Sequence, residues 1–445
     1  MTSDSRLHSY FRLLERHSGL RWEGSVTEVV GQIVESDGPV CSVGESCEII
    51  GEDGASYAGE VVGFRGQKVL SMPLEKPQGL RYGDRIIARG IRPALRVGDG
   101  LLGRVIDGSG RPLDDRGGYA AAALWPLDSP APLPLERSPI REALSCGIRA
   151  IDAFLTCGRG QRLGIFGGSG VGKSTLIGMM ARNTDADLTV LALVGERGRE
   201  VREFLEESLG EQGRRRAVVV VSTSDQSPLL RIRAALAATA VAEYFQSRGK
   251  NVLLVVDSLT RFAMAQREIG LAAGEPPTAK GYTPSVFSLL ARLIERAGNY
   301  GRGSITAFYT VLMEGDDQQD PLVDAVRALL DGHVVLDRRL AAQNHFPAIA
   351  ILDSLSRLMP SVCSSEHLRQ ASRLRRLLAA YANSEDLIRI GAWQKGLDPV
   401  LDEAVAALPA IRAFLQQDRK DSAPLAQTLA GLLQLAPGKT EPTAG

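Results

Sequence analysis

The sequence has few aromatic residues, few cysteines and no hydrophobic run long enough for a membrane helix. Its 445 residues include five cysteines, an odd number without a CxxC pair, which argues against paired thiols of zinc or redox sites. We therefore expect reduced, partly buried thiols in a cytosolic protein. The longest apolar runs, such as 252–256, have the length of buried strands, whereas a membrane helix needs about 20 apolar residues. Residues 1–20 have no apolar stretch typical of a signal peptide.

The charge is balanced and the histidines are scattered. Lys+Arg and Asp+Glu each number 52, so the formal net charge is zero. Domains whose main task is to coat a polyanion are usually clearly basic, so this balance argues against that class, although a local basic groove remains open. The five histidines do not cluster as metal ligands would.

Composition and turn residues divide the chain into segments. Residues 4–18 carry apolar residues at helical spacing, which predicts an amphipathic helix that packs on its own domain or docks a partner. Short β-rich runs separated by turns such as Asp53-Gly54 predict a small closed barrel. The predicted segments are an N-terminal helix (1–20), a β-barrel domain (21–92), a central domain (93–365) that begins with a loop-rich crossing (93–140), a helical domain (366–436) and a flexible tail (437–445).

Strand-like and helix-like segments alternate between residues 141 and 345. Near-continuous apolar runs bounded by helices are typical of a parallel sheet with both faces covered. We expect an α/β fold with an N-terminal small β-barrel, a central domain built on a mostly parallel sheet, and a C-terminal helical domain. The strand candidates are 161–166, 188–194, 217–221, 252–256, 304–309 and 333–336.

The sharpest motif is Gly167–Ser174, which fits the P-loop pattern GxxxxGK[ST]. It follows the apolar strand 163–166 and precedes the helix-like run 175–181, as a P-loop requires. Its glycines let backbone N–H groups wrap the phosphates of ATP, and the helix N-terminus adds positive charge. Lys173 would neutralise the β- and γ-phosphates, and Ser174 would ligate Mg²⁺. The predicted phosphate-binding residues are Gly168, Ser169, Gly170, Val171, Gly172, Lys173, Ser174 and Thr175.

Two further polar segments end predicted strands. Asp257 follows the run 252–256, where a carboxylate beside a P-loop can hold the water shell of Mg²⁺. Glu196 and Arg197 follow the run 188–194, and a carboxylate there can orient and polarise an attacking water. An aspartate after an apolar run, such as Asp257, is by itself often a helix cap, and a charged segment such as Glu196-Arg197 is often a salt-bridged surface loop. The upstream P-loop favours the metal role of Asp257.

Four long segments resemble the catalytic ATPases of type III protein export, which are related to the catalytic subunits of rotary ATP synthases. The resemblance runs from about Val26 to Gln417, and GFRGQKVLSMPL (63–74) and SEDLIRIGAWQKGLDP (384–399) favour the flagellar branch over the virulence-injectisome branch. The four segments are GERGRE (195–200), AMAQREIGLAAGEPPTAKGYTPSVFSLL (263–290), GSITAFYTVLMEGDD (303–317) and FPAIAILDSLSR (346–357).

The resemblance implies a RecA-like P-loop nucleotide-binding domain and a set of site residues. Lys173 and Ser174 match the phosphate and Mg²⁺ contacts, and Asp257 matches the Walker B aspartate. The other implied roles are a water-activating carboxylate at Glu196, an arginine near the γ-phosphate at Arg197, an arginine finger for the neighbouring subunit at Arg357, an aromatic residue stacked on adenine at Phe346, and a further wall of that pocket at Phe414.

Arg357 and Ala350 affect what the resemblance implies about activity and nucleotide binding. An arginine finger contributes about 10³–10⁵ in rate, so a finger acting in trans would tie activity to ring assembly; a structural role of Arg357 within one subunit is the alternative. Ala350 stands where the family usually has Asp, and we expect it to change nucleotide affinity without abolishing the site.

The resemblance also implies a function and partners. It implies Mg²⁺-dependent ATP hydrolysis by a homo-hexamer that energises flagellar protein export, releases chaperones and unfolds substrates. The implied partners are a stator-like regulator on the N-terminal helix through Leu7, Phe11 and Leu14, a coiled-coil stalk in the ring centre, the membrane export gate and chaperone–substrate complexes, with no nucleic acid. The implied location is the cytoplasm, at the inner-membrane export apparatus.

Four alternatives stay open at this point. They are an injectisome secretion ATPase, a catalytic subunit of a rotary ATP synthase, a hexameric RNA or DNA translocase, and a scaffold with a vestigial nucleotide site. Zero net charge and the aromatic-poor barrel count against the translocase. Intact Lys173, Glu196, Asp257 and Arg357 count against the scaffold.

Overall fold

A computed structural model describes residues 22–313 and 320–435. The predicted N-terminal helix (1–20), with its proposed contact residues Leu7, Phe11 and Leu14, and the predicted tail (437–445) lie outside these residues. The chain forms a barrel, a crossing segment, an α/β domain and a helical domain in that order. The predicted fold class is therefore confirmed.

Six short antiparallel strands close into a barrel, in the order β1-β2-β5-β4-β3-β6. Glycines in the left-handed region, such as Gly54 (φ 81°) and Gly66 (φ 60°), make the tight turns between them. Alternate side chains, including Val26, Ile49 and Ile86, fill the interior. The strands are β1 (Trp22–Val30), β2 (Ile33–Asp37), β3 (Ser46–Ile50), β4 (Ser56–Arg65), β5 (Lys68–Pro73) and β6 (Arg85–Ala88).

The crossing segment is more ordered than its loop-rich sequence predicts. β7 (Ala94–Val97) and β9 (Ala123–Pro126) form an antiparallel pair, and β8 (Val105–Asp107) joins the edge of the central sheet. The partner of β8 is more than 100 residues away in the sequence, at Val219 to Val221. A three-residue run carries too little periodicity to predict such a pairing.

A buried ion pair fastens the crossing segment to the central domain. Arg296 is 2% exposed, and its Nε lies 2.6 Å from Glu243 Oε1. Trp125 Nε1 donates a hydrogen bond of 3.0 Å to Glu243, and Arg296 donates one of 2.6 Å to the carbonyl oxygen of Leu127. The loss of one partner would leave a buried charge uncompensated, so the crossing is held firmly in this position.

The central sheet has the strand order β19-β18-β12-β17-β15-β13-β14-β8, with β16 beside β17. The pairs from β18 to β8 are parallel, and β16 and β19 pair in the antiparallel sense. The six predicted strands are all present. The strands of this domain are β10 (Ala143–Leu144), β11 (Cys157–Gly158), β12 (Arg162–Gly167), β13 (Leu188–Glu196), β14 (Ala217–Thr223), β15 (Asn251–Asp257), β16 (Gly298–Tyr300), β17 (Gly303–Leu312), β18 (Gly332–Val335) and β19 (Leu355–Ser356).

Helices connect these strands and cover both faces of the sheet. The alanine-rich helix α5 is buried along almost its whole length, because small side chains let it pack closely on the strands. Ser227 and Ser258 cap the N-termini of α5 and α6 with their side-chain oxygens. The helices are α1 (Arg149–Phe154), α2 (Lys173–Asn183), α3 (Gly198–Glu203), α4 (Gly210–Arg215), α5 (Pro228–Ser247), α6 (Leu259–Ala273), α7 (Pro284–Glu295), α8 (Pro321–Leu329), α9 (Arg338–Ala342) and α10 (Met359–Val362), with a π-helical turn (Phe204–Leu209) between α3 and α4.

Three helices form the C-terminal domain: α11 (Ser365–Arg389), α12 (Pro399–Leu415) and α13 (Leu425–Leu435). Ser364 and Asp398 cap the first two helices. Their apolar faces pack on one another and on α1 of the central domain. Across the two described ranges, no helix is both long enough and apolar enough to span a membrane.

Candidate active site

The P-loop connects β12 to α2 at the carboxyl edge of the parallel sheet. Gly170 and Gly172 have φ values of 80° and 88°, a conformation that L-residues rarely adopt. Lys173 is the first residue of α2, and Gly172 is its N-cap. A helix N-terminus here supplies free backbone N–H groups and partial positive charge, which together bind phosphate.

Lys173 and Asp257 form an ion pair at the base of this loop. The distance from Lys173 Nζ to Asp257 Oδ1 is 2.7 Å, and the side chains are 12% and 5% exposed. Thr310 Oγ1 donates a hydrogen bond of 2.6 Å to the same carboxylate oxygen. Asp257 ends β15, and Thr310 lies on the adjacent strand β17. Two donors therefore fix the carboxylate directly below the P-loop.

Glu196 ends β13, next to the strand that carries Asp257. Burial, and after it the negative charge of Asp257, raises the pKa of Glu196 to about 7, although Lys173 acts in the opposite direction. A carboxyl group with a pKa near neutrality is suited to accept a proton from water. Arg197 is exposed, and its guanidinium lies 3.5 Å from Glu200 Oε1.

One cavity of about 540 Å³ is lined by Lys173, Asp257, Glu196 and Arg197. All the predicted phosphate-binding residues line it except Val171, which is 2% exposed and packs in the core. The other lining residues were not predicted as site residues, and among them Arg261 adds a positive charge to those of Lys173 and Arg197. The unpredicted lining residues are Leu193, Glu200, Val201, Glu203, Phe204, Ser208, Arg261 and Leu312.

A second cavity, of about 270 Å³, adjoins the first. Gly172 and Thr175 line both cavities, so the two share a boundary at the start of α2. Phe346 and Pro347 form one wall, and Phe346 is 41% exposed. An exposed aromatic face beside a phosphate site suits a planar base, which stacks on it. The segment 417–419 also lines this cavity, and the sequence reasoning did not identify it.

Arg357 lies far from the P-loop of its own chain. Its backbone N–H donates to the carbonyl oxygen of Asp331 at 3.0 Å, and Asp331 pairs with Arg162 at the start of β12. The P-loop follows Gly167, at the other end of β12. A strand rises about 3.3 Å per residue, so Arg162 and Gly167, at the two ends of β12, are roughly 16 Å apart. The exposed Arg357 side chain therefore lies at the opposite edge of the sheet.

Three family models match most of the described chain, apart mainly from residues 91–146. Residues 26–90 match the beta-barrel domain of the ATP synthase alpha/beta family, and residues 147–356 match its nucleotide-binding domain. Residues 363–434 match the T3SS EscN ATPase C-terminal domain. The first two models alone also fit a rotary ATP synthase subunit; the third favours an export ATPase.

Individual relatives agree with these matches. The chain is 53% identical to the flagellum-specific ATP synthase of Pseudomonas aeruginosa, over 94% of this chain and 93% of that protein. It is 51% identical to the type 3 secretion system ATPase of Xanthomonas euvesicatoria, over 88% of this chain and 89% of that protein. The chain belongs to the flagellar and type III secretion ATPase family. It is therefore an ATPase, as the resemblance implied.

Solved structures of a family member have the same fold as this export ATPase. The assembled ATPase EscN of the type III secretion system of enteropathogenic E. coli superposes with a TM-score of 0.87 at 46% identity, covering 93% of this chain and 99% of EscN. EscN has also been solved in complex with its central stalk EscO, and that structure superposes with a TM-score of 0.86.

The structure brings together most of the predicted site of this export ATPase, but one more predicted residue, besides Val171 and Arg357, lines neither cavity. Phe414 is not among the residues that line the base cavity. Its ring packs against Gly431 of α13, where an added Cβ would lie 3.1 Å from the ring. The chain turns after α12 and presents the next residues to the cavity instead. The geometry thus does not support Phe414 as a pocket wall, and the segment 417–419 takes that place.

Ala350 likewise lines neither cavity. Its backbone N–H donates to the Val335 carbonyl oxygen at 2.8 Å, and the residue is 8% exposed. Since the segment leads directly from Phe346 to Arg357, a substitution at Ala350 would act through the backbone that carries these two side chains. Its expected effect on nucleotide affinity stays a prediction.

Proposed function

We propose that this export ATPase hydrolyses Mg²⁺-bound ATP in a ring of identical subunits and so energises flagellar protein export. The observation that carries the proposal is the convergence of Lys173, Asp257 and Glu196 on one cavity beneath the P-loop. Phosphoryl transfer depends mostly on positioning and charge stabilisation, and these three side chains supply a cation, a metal-binding carboxylate and a base.

Mg²⁺ would enter with ATP as part of the substrate. It favours one or two carboxylates together with phosphate oxygens and water, and Ser174 and Asp257 line the same cavity and provide such donors. Across residues 22–313 and 320–435, no group of three His, Cys, Asp or Glu side chains could hold a metal ion by itself. This agrees with a metal that is bound mainly through the nucleotide.

The remaining groups divide the chemical work. Lys173 leaves its ion pair with Asp257 and neutralises the β- and γ-phosphates, while Thr310 keeps the Asp257 carboxylate in position. Glu196 accepts a proton from the attacking water, and Arg197 at the cavity rim lies near the γ-phosphate. Phe346 stacks on the adenine base in the adjoining cavity.

Arg357 completes the site of a neighbouring subunit. Because it lies at the opposite edge of its own sheet, it reaches a γ-phosphate only across an interface, and a head-to-tail ring gives every site one such arginine. The proposal of a hexamer is supported by the relative EscN, which has been solved as an assembled ATPase. A monomer would then be nearly inactive.

Mixing two inactive variants tests this arrangement. Arg357→Ala and Glu196→Gln should each lose activity, by about 10³–10⁵ for the finger. A mixed ring regains activity, because an intact Glu196 in one subunit can face an intact Arg357 in the next at about a quarter of the interfaces. Arg81→Ala, which removes an exposed arginine of the barrel, is the control and should retain activity. If the mixture stays inactive under conditions where rings form, the finger does not act in trans.

The partners extend this proposal. The structure of EscN with its central stalk EscO supports a central stalk partner, which we propose to be a coiled coil in the ring centre. We further propose a stator-like regulator on residues 1–20, the membrane export gate and chaperone–substrate complexes as partners, with chaperone release and substrate unfolding as the work done. The protein would act in the cytoplasm, at the inner-membrane export apparatus.

The injectisome is the second candidate system, because the relative from Xanthomonas euvesicatoria is 51% identical. Complementation separates the two systems. We expect the chain to restore motility in a strain that lacks its flagellar export ATPase and not to restore effector secretion in an injectisome mutant. The reverse result would assign it to the injectisome.

A further inference from the structure

Part of the lining of the base cavity belongs to a different domain from Phe346. Residues 417–419 lie in the linker between α12 and α13 of the helical domain, whereas Phe346 and Pro347 follow α9 of the central domain. The shape of the cavity therefore depends on how firmly this linker is attached to the central domain.

Gln417 makes that attachment with its side-chain amide and its backbone N–H. The residue is 4% exposed. Its Oε1 accepts from the backbone N–H of Arg149 at 2.9 Å, and its Nε2 donates to the carbonyl oxygens of Gly147 at 2.9 Å and Asp421 at 3.3 Å. Its backbone N–H donates to the carbonyl oxygen of Phe346 at 2.9 Å. One residue thus joins the start of α1, the linker and the aromatic wall.

Arg149 holds the same linker from the central domain. Its Nε donates to the carbonyl oxygen of Phe414 at 2.8 Å, and its terminal nitrogen donates to that of Gln416. Hydrogen bonds from a guanidinium are stronger than neutral ones, and a buried polar group that loses its partner is costly. The linker is therefore fixed in one position beside the cavity.

We propose that Gln417 is a positioning residue for ATP, which holds the linker wall beside the Phe346 wall and so keeps the cavity in the shape that accepts the base. Binding of the base and docking of the helical domain then depend on the same hydrogen bonds. The inference rests on the proposed function, in which the base of ATP occupies this cavity. Gln417 has no part in the phosphate cavity, so its influence should be confined to the base.

Gln417→Met removes the side-chain hydrogen bonds and keeps an unbranched side chain of similar length. We expect the KM for ATP to rise about tenfold, with kcat changed by less than about twofold. Mg²⁺-tripolyphosphate, which has no base, should inhibit the variant and the wild type equally. Gln416→Met changes the exposed neighbour and should leave all these values unchanged.

Two results would overturn the positioning role: an unchanged KM for ATP in the folded variant, or an equal weakening of ATP and tripolyphosphate. If circular dichroism shows that Gln417→Met does not fold, Gln417→Glu replaces it. That variant keeps the acceptor for the Arg149 backbone N–H and places a carboxylate oxygen against the Gly147 carbonyl oxygen. It must likewise raise the KM for ATP and leave inhibition by tripolyphosphate unchanged. Phe346→Ala separates the failure of the proposed base cavity from that of the Gln417 role. If Phe346→Ala leaves the KM for ATP unchanged, the base cavity itself is misassigned. If Phe346→Ala raises the KM and the Gln417 variants do not, only the role of Gln417 fails.

Discussion

The phosphate end and the base end of the nucleotide site are built in different ways. The phosphate end takes its loop from one strand–turn–helix unit, residues 162–183, and adds the ends of two adjacent strands. The base end brings together residues 346–347 and 417–419, which belong to two domains. A single turn can bind phosphate because its backbone N–H groups suffice, whereas a planar base must be enclosed from both sides.

The two ends also differ in how their charged groups are placed. Lys173, Asp257 and Glu196 lie together below the P-loop, whereas in the base cavity the charged residues Asp418 and Arg419 belong to the linker and the aromatic Phe346 forms another wall. Interactions that strengthen in the transition state change kcat, and uniform binding changes KM. Substitutions at the phosphate end should therefore change mainly kcat, and those at the base end mainly KM.

Among changes to the two ends within one subunit, the largest expected effect is that of Glu196→Gln. The amide keeps the shape of the side chain but cannot accept the proton of water, so kcat should fall by about 10²–10⁴. The dissociation constant for ATP, measured by nucleotide fluorescence, should stay near that of the wild type. Glu206→Gln, at an exposed glutamate of the π-helical turn, serves as the control. An equal loss of ATP binding would contradict the division between the two ends.

The pH profile is the next largest effect. The pKa of Glu196 is raised to about 7 by burial, and the carboxyl group must be ionised to act as a base. As the pH falls below 7, kcat/KM should drop about tenfold per unit, because the protonated fraction grows. The residual activity of Glu196→Gln should lack this inflection. A wild-type profile that is flat below pH 7 would rule out Glu196 as the titrating base.

The smallest of the three effects is that of Phe346→Ala. Loss of the stacking surface should raise the KM for ATP about tenfold and change kcat little. Steady-state kinetics measures both constants, and Phe346→Tyr, which keeps the ring, should restore the KM. A fall in kcat at unchanged KM would show that the base end also takes part in the chemical step.

The same contrast explains what could be predicted from sequence. The P-loop could be assigned residue by residue because its pattern is contiguous, and Asp257 and Glu196 because each ends an apolar strand. Phe346 was indicated only by family resemblance. Residues 417–419 were missed, and Phe414 was chosen instead, because helical periodicity does not reveal how a chain turns after α12 or where the linker packs. Thr310 was missed because a threonine within an apolar strand looks like any β-branched residue.

The pairing of β8 with β14 bears on the solubility of the chain. β14 reads AVVVVST, an uncharged run of β-branched residues that would offer an aggregation-prone edge if it ended the sheet. β8 covers that edge through the pairs from Val105 to Asp107. β8 precedes the other strands of the central sheet in the sequence, so it is synthesised before them. A nascent chain can therefore protect this edge as soon as β14 forms, and a truncation that removes the crossing would leave the edge open to self-association.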